Sequence, residues 1–163
     1  MTISDEGPLC HCGNRGCWEA LASGTALAKA ARKLIETGAD TSILSFAEGK
    51  IDKVTAQTVQ SAAEKGDSIA NQLILKVAYY FGVGVANLIN IFNPELIVIG
   101  GGLSNMGERL FKPAHEVVKE RAFNRAYRTV RFVKAALGRN SGVLGAAAFA
   151  FDEMKRAGFK AGV

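Results

Sequence analysis

Asn93-Pro94-Glu95-Leu96-Ile97-Val98-Ile99-Gly100-Gly101-Gly102 reads as a helix end, a short strand and a glycine turn. Pro94 has no amide hydrogen and pushes Asn93 away from helical backbone, so the preceding helix stops there. Leu96 to Ile99 is apolar throughout and rich in β-branched residues, the pattern of a strand covered on both faces. The three glycines sit at the strand's carboxyl end, where open α/β sheets bind ligands. Bare backbone there allows a ligand to come close; a plain tight turn accounts for the glycines equally well. The spacing is not the dinucleotide fingerprint, and no Gly-Lys-Ser/Thr follows to make a phosphate-binding P-loop.

Upstream of this stretch, Ile69, Leu73, Val77, Tyr80, Gly84, Leu88 and Ile91 recur in steps of three and four, one face of an α-helix. Asp67 is its expected N-cap, and its near-continuous apolarity predicts burial between layers rather than a membrane span. A shorter helix is expected over 56–65 behind Thr55, and another over 19–36 with Gly38 as its C-cap. Gly24, inside that helix, marks a close approach or a ligand. Downstream, Pro113 is expected to open a helix reaching Phe123, Thr129 to Val133 to form a second strand, and 138–142 to turn into a last helix over 143–156. Helices alternating with strands make an α/β fold, and two strands alone leave its sheet incomplete.

The chain has 163 residues, of which 48% are hydrophobic and 21% charged. This suits one globular domain, or one half of a two-lobed protein, and excludes a disordered, collagenous or disulfide-built chain. The net charge of +5 is local: six basic residues and one acidic residue fall between Lys119 and Lys134. Such a run forms either a solvated surface or a nucleic-acid face, and no nucleic-acid motif accompanies it. No secretory signal opens the chain, and a reducing cytoplasm is the expected compartment.

The third informative stretch is Cys10-His11-Cys12-Gly13-Asn14-Arg15-Gly16-Cys17-Trp18-Glu19. Three thiols so spaced can converge on one metal ion, with Gly13 and Gly16 letting the loop turn tightly. His11 lies between two candidate ligands, so its ring is expected to point away from a metal they share. Three reduced, partly buried cysteines are the alternative. Glu19 starts the next helix, where the helix dipole favours a carboxylate. A carboxylate held rigidly there is also suited to hydrogen bonds from neighbouring sugar hydroxyls.

Taken together, the cysteine string followed by Ala22-Ser23-Gly24-Thr25-Ala26 resembles the signature of the ROK family of repressors and sugar kinases. Gly66-Asp67 with Ala70, the Asn93 to Gly102 stretch, and Leu137-Gly138 through Gly142, Gly145 and Ala146 resemble the same family in the same order. The likeness extends over essentially the whole chain and is strongest toward bacterial ATP-dependent glucokinases.

The resemblance implies a ribonuclease-H-like lobe of the actin/hexokinase type, incomplete, the C-terminal half of a two-lobed kinase over residues 1–163. It implies Cys10, Cys12 and Cys17 as ligands of a structural Zn2+, Glu19 as a sugar contact, and Gly100, Gly101 and Gly102 in the adenosine-binding part. The implied partners are a hexose, ATP and Mg2+, and the implied assembly is a homo-oligomer without membrane or nucleic-acid contact. The family's phosphate loop, catalytic aspartate and fourth zinc ligand are expected upstream of Met1. The parent protein is therefore expected to phosphorylate a hexose, foremost glucose to glucose 6-phosphate, and this chain alone to be inactive. The alternative is a sugar-sensing transcriptional repressor of the same family. Two further readings are a basic module on nucleic acid and a self-associating lobe.

Overall fold

The computed structural model describes residues 1–158. Its helices are α1 (Trp18–Leu21), α2 (Gly24–Glu36), α3 (Ile43–Phe46), α4 (Ala56–Glu64), α5 (Ser68–Phe92), α6 (Glu108–Arg121), α7 (Asn124–Thr129) and α8 (Ser141–Arg156). Two strands, β1 (Leu96–Ile99) and β2 (Arg131–Lys134), pair in parallel with Leu96 opposite Arg131 and Ile99 opposite Lys134. The result is α/β, mostly helical, as the sequence predicts.

The caps act where the sequence places them. Thr55 and Thr58 form a reciprocal capping box at the start of α4. Asp67 accepts the Ala70 amide hydrogen at 2.8 Å and opens α5. Asn93 ends α5 in the left-handed region, at φ 46°. Gly38, at φ 83°, closes α2.

α5 joins two apolar clusters. Its first half packs Leu73, Ile74 and Val77 with Leu27, Val59 and Leu110. Its second half packs Val85 and Ile89 with Val118 and Val130. α6 crosses α5 closely at Gly82, where an added Cβ would lie 2.6 Å from the Ala114 carbonyl oxygen. By length and composition α5 could cross a membrane, yet half of its most apolar stretch is buried inside this fold.

Several expectations are corrected. The single helix over 19–36 is two, because Ser23 is extended and its hydroxyl accepts the Ala26 amide hydrogen at 3.0 Å, starting α2 afresh. Gly24 then falls in the first turn of α2, where a Cβ would make only ordinary contact with Ala56 at 3.5 Å. Pro113 does not open α6 but lies inside it. The helix starts earlier because Leu110 is fully buried, and the Gly107 carbonyl accepts from both Leu110 and Phe111. The second strand begins two residues later than predicted, since α7 takes up 124–129. The last helix begins at Ser141 rather than Val143.

β1 is also not covered on both faces. Ile97 and Phe132 pack against the helices, whereas Leu96, Val98 and Val133 face outward and are exposed. α8 buries none of its residues, and Val143, Phe149 and Phe151 stand exposed along it.

Candidate sugar and metal site

Residues 1–17 form a tight double-backed loop. Ile3 donates to the Gly16 carbonyl at 3.0 Å, Cys10 to that of Asn14 at 2.8 Å, and Trp18 to that of Met1 at 2.9 Å. Isolated antiparallel bridges pair Thr2 with Cys17 and Leu9 with Arg15. Gly16, at φ 64°, is packed so tightly that a Cβ would overlap the Ser4 carbonyl. Only glycine lets the chain turn there.

This turn brings the sulfurs of Cys10, Cys12 and Cys17 within 4.8 Å of one another, with Cys12 and Cys17 3.5 Å apart. His11 is outside the cluster, as its place between two candidate ligands predicts. The Asn14 backbone amide and the Cys17 and Cys10 thiols draw the Cys12 thiol down to about 7. The Cys12 thiol, then burial, pushes that of Cys17 up. Tetrahedral thiolate coordination has metal–sulfur bonds of about 2.3 Å, so ligand sulfurs stand somewhat under ~4 Å apart. Cys12 and Cys17 stand at about that spacing, Cys10 lies within 4.8 Å of both, and the softness of thiolates suits Zn2+.

Cys17 leads directly into α1, and Glu19 follows in its first turn. The Ser23 hydroxyl, 3.3 Å away, donates to Glu19 Oε1. Between them, Trp18 anchors α1 to α5. Its ring lies 5.9 Å from that of Phe81 and over Gly84, where any side chain would overlap the indole. Among the described residues Trp18 Nε1 is buried without a hydrogen-bond partner. Glu19 is exposed to solvent, in a helix held to the core by Trp18.

The glycine triplet is a separate feature. Gly101 is left-handed at φ 82°, and its carbonyl accepts from the Ser104 amide at 3.2 Å and the Ser104 hydroxyl at 2.7 Å. Space is open above Gly101 and Gly102, whereas Gly100 faces Ala135 at 3.3 Å. Nearby, a cavity of about 410 Å3 opens between α5, α6 and the sheet, lined by Phe81, Phe111, Phe132, His115 and Lys134. His115 Nδ1 and the Tyr127 hydroxyl are 3.2 Å apart. The structure therefore brings the three cysteines and Glu19 into one unit, and among the described residues no hydrogen bond links that unit to the glycine turn. The Trp18–Gly84 fit and the Ser23–Glu19 bond were not read from the sequence. A glycine amid a long apolar helix was the only signal for the first. Ser23 sits four residues after Glu19, within one helical turn.

The comparisons with known proteins agree on one family. Residues 1–153 match the model of the ROK family. The chain is 35% identical over 153 residues to a xylose repressor of Caldicellulosiruptor bescii, covering 94% of this chain and 38% of the relative. It is 39% identical over 143 residues to a glucokinase of Halalkalibacterium halodurans, covering 88% of this chain and 43% of the relative. The chain thus spans less than half the length of these two relatives. Among solved structures, a ROK family glucokinase from Streptomyces griseus, in complex with glucose and AMPPNP, superposes with a TM-score of 0.78 at 30% identity. That match covers 91% of this chain and 49% of the other.

Proposed function

Since the chain belongs to the ROK family, we propose that it forms the C-terminal lobe of an ATP-dependent hexose kinase acting foremost on glucose. The cluster of three thiols held two residues ahead of an exposed carboxylate supports the sugar site, and the observation that favours a kinase is the open backbone of Gly101 and Gly102 at the end of β1. Cys10, Cys12 and Cys17 hold Zn2+, which stiffens the loop and supplies no reactive group. Glu19 accepts hydrogen bonds from adjacent sugar hydroxyls. Charge-assisted bonds of this kind are the stronger ones, and they orient the ring. Gly100, Gly101 and Gly102 offer bare backbone to the adenosine of ATP.

Phosphoryl transfer requires a base on the attacking hydroxyl, and Mg2+ accompanies the nucleotide phosphates. No residue of this chain is assigned to either. The chain's part in the reaction is binding and orientation, in a cytoplasmic, homo-oligomeric parent enzyme without nucleic-acid contact. This makes a clear demand on experiment. Glucose titrated into the zinc-loaded chain and followed by amide NMR shifts residues around Glu19, and Glu19→Gln abolishes the response. A wild-type chain whose spectrum ignores glucose, mannose and fructose alike rejects the sugar site.

A second reading is a sugar-responsive repressor, favoured by the 35% identity to a xylose repressor. Both readings need the sugar site, and only the kinase needs the nucleotide bed. AMPPNP shifts at Gly100 to Gly102 support the kinase, and their absence alongside intact sugar binding supports the repressor.

A further inference from the structure

We infer that Ser23 is the positioning residue for Glu19, setting the direction of the carboxylate through its hydroxyl. The inference rests on Glu19 being the sugar contact for its consequence, though not for its geometry. Ser23 stands at the junction of α1 and α2, in extended backbone. Its single hydroxyl has two partners. The oxygen accepts from the Ala26 amide at 3.0 Å, as an N-cap, and the hydrogen goes to Glu19 Oε1 at 3.3 Å.

A hydroxyl has one hydrogen and two lone pairs, so the two bonds are compatible and mutually orienting. The Ala26 amide fixes where the oxygen sits, which leaves its hydrogen to be aimed at the carboxylate. Glu19 has three side-chain torsions and an exposed carboxylate, so a free side chain would populate several rotamers and lose that freedom on binding a sugar. The bond to Ser23 holds one carboxylate oxygen and leaves Oε2 for the ligand. α1 is held to α5 by Trp18 against Gly84, and α2 packs Leu27 and Ala31 with Leu73 and Ile74 of α5, so both ends of the Ser23–Glu19 pair are seated on the same helix.

Capping and positioning separate by substitution. Ser23→Asp keeps an N-cap acceptor for Ala26 but has no hydrogen for Glu19 and repels it. Ser23→Thr keeps both partners. In side-chain NMR of the zinc-loaded chain, wild type and Ser23→Thr hold Glu19 in one rotamer, whereas Ser23→Asp averages it with α2 still helical. The glucose dissociation constant rises about tenfold in Ser23→Asp and stays within about twofold in Ser23→Thr. A Ser23→Asp chain that keeps the wild-type Glu19 rotamer overturns the inference and leaves Ser23 a cap only. If no form binds a hexose, the sugar reading of Glu19 fails, and the rotamer measurement still decides the role of Ser23.

Discussion

The indole of Trp18 fills the volume in which a side chain on Gly84 would stand. α1 is only four residues long and has no stability of its own. Its place is set by this fit into α5, with Phe81 packed alongside. The cysteine loop and Glu19 are attached to either end of Trp18, so their position relative to the core depends on a missing methyl group.

Gly84→Ala tests that dependence. Alanine improves an α-helix interior by about 1 kcal/mol over glycine. Overpacking against the indole costs about 1–3 kcal/mol. The overlap here is with rigid ring atoms, so the expected net result is a loss of about 1–2 kcal/mol in urea unfolding. Trp18 is the only tryptophan. Its emission should shift to the red in the same variant as the ring is displaced toward solvent. A variant as stable as wild type with unchanged emission would show that the helices part easily.

Asp67 ties the start of α5 to Thr41 and Ser42 through its carboxylate. Burial pushes its carboxyl up, but the Ala70 and Ser42 amides and the Ser42 and Thr41 hydroxyls outweigh this and hold it at about 2, below the ordinary 3.8. A depressed carboxyl stabilises the fold fully above its unfolded value and loses that contribution as pH falls through its folded value. Asp67→Asn should therefore cost about 1–2 kcal/mol at pH 7 after allowance for solvent screening. The gap to wild type should close between about pH 4 and pH 2. Unfolding curves at several pH values check this; a gap independent of pH contradicts it.

Asn90 ties α5 to the α6–α7 junction. Its amide nitrogen donates to the Arg121 carbonyl at 3.2 Å, and its amide oxygen accepts the Phe123 amide hydrogen at 2.8 Å. Asn90→Ala removes both bonds and should cost about 1–2 kcal/mol. Asn90→Asp keeps the acceptor for Phe123 and should retain part of the stability. Hydrogen exchange at Phe123 should speed up in the alanine variant and less so in the aspartate one.

Val98 distinguishes an open sheet face from a closed one. It points away from the helices and is 58% exposed. Val98→Lys should change stability by no more than about 0.5 kcal/mol, as at other surface positions. The same substitution at Ile97, which packs against the second cluster, should cost several-fold more. Thermal melts of the two variants decide it, and a large loss at Val98 would mean that another surface covers the strand.

Much of this architecture was legible in the sequence because it is governed over four residues or fewer. Thr55, Asp67 and Asn93 set helix ends through their own hydrogen bonds and backbone preferences. The apolar run Leu96 to Ile99 made a strand and the glycines a turn at its end. The cysteine spacing brought three thiols together as expected, and the family was recognisable from the combined motifs. The break at Ser23 was missed although its Ala26 cap is local, whereas other misreadings were fixed by distant partners. Pro113 marks a helix start by local rules, yet α6 begins at Glu108 because Leu110 is drawn into a core built by α2, α4 and α5.

The sequence by itself determined most of the segments that become helix or strand, where most of them stop, and which three thiols converge. Only the tertiary structure decided that Trp18 rests on Gly84 and that one face of β1 stays open. The physical reason is range. Caps, turns and strand propensity act through backbone and side-chain contacts within a helical turn. Close packing depends on which surfaces meet, and residues 66 positions apart meet only after the chain has folded.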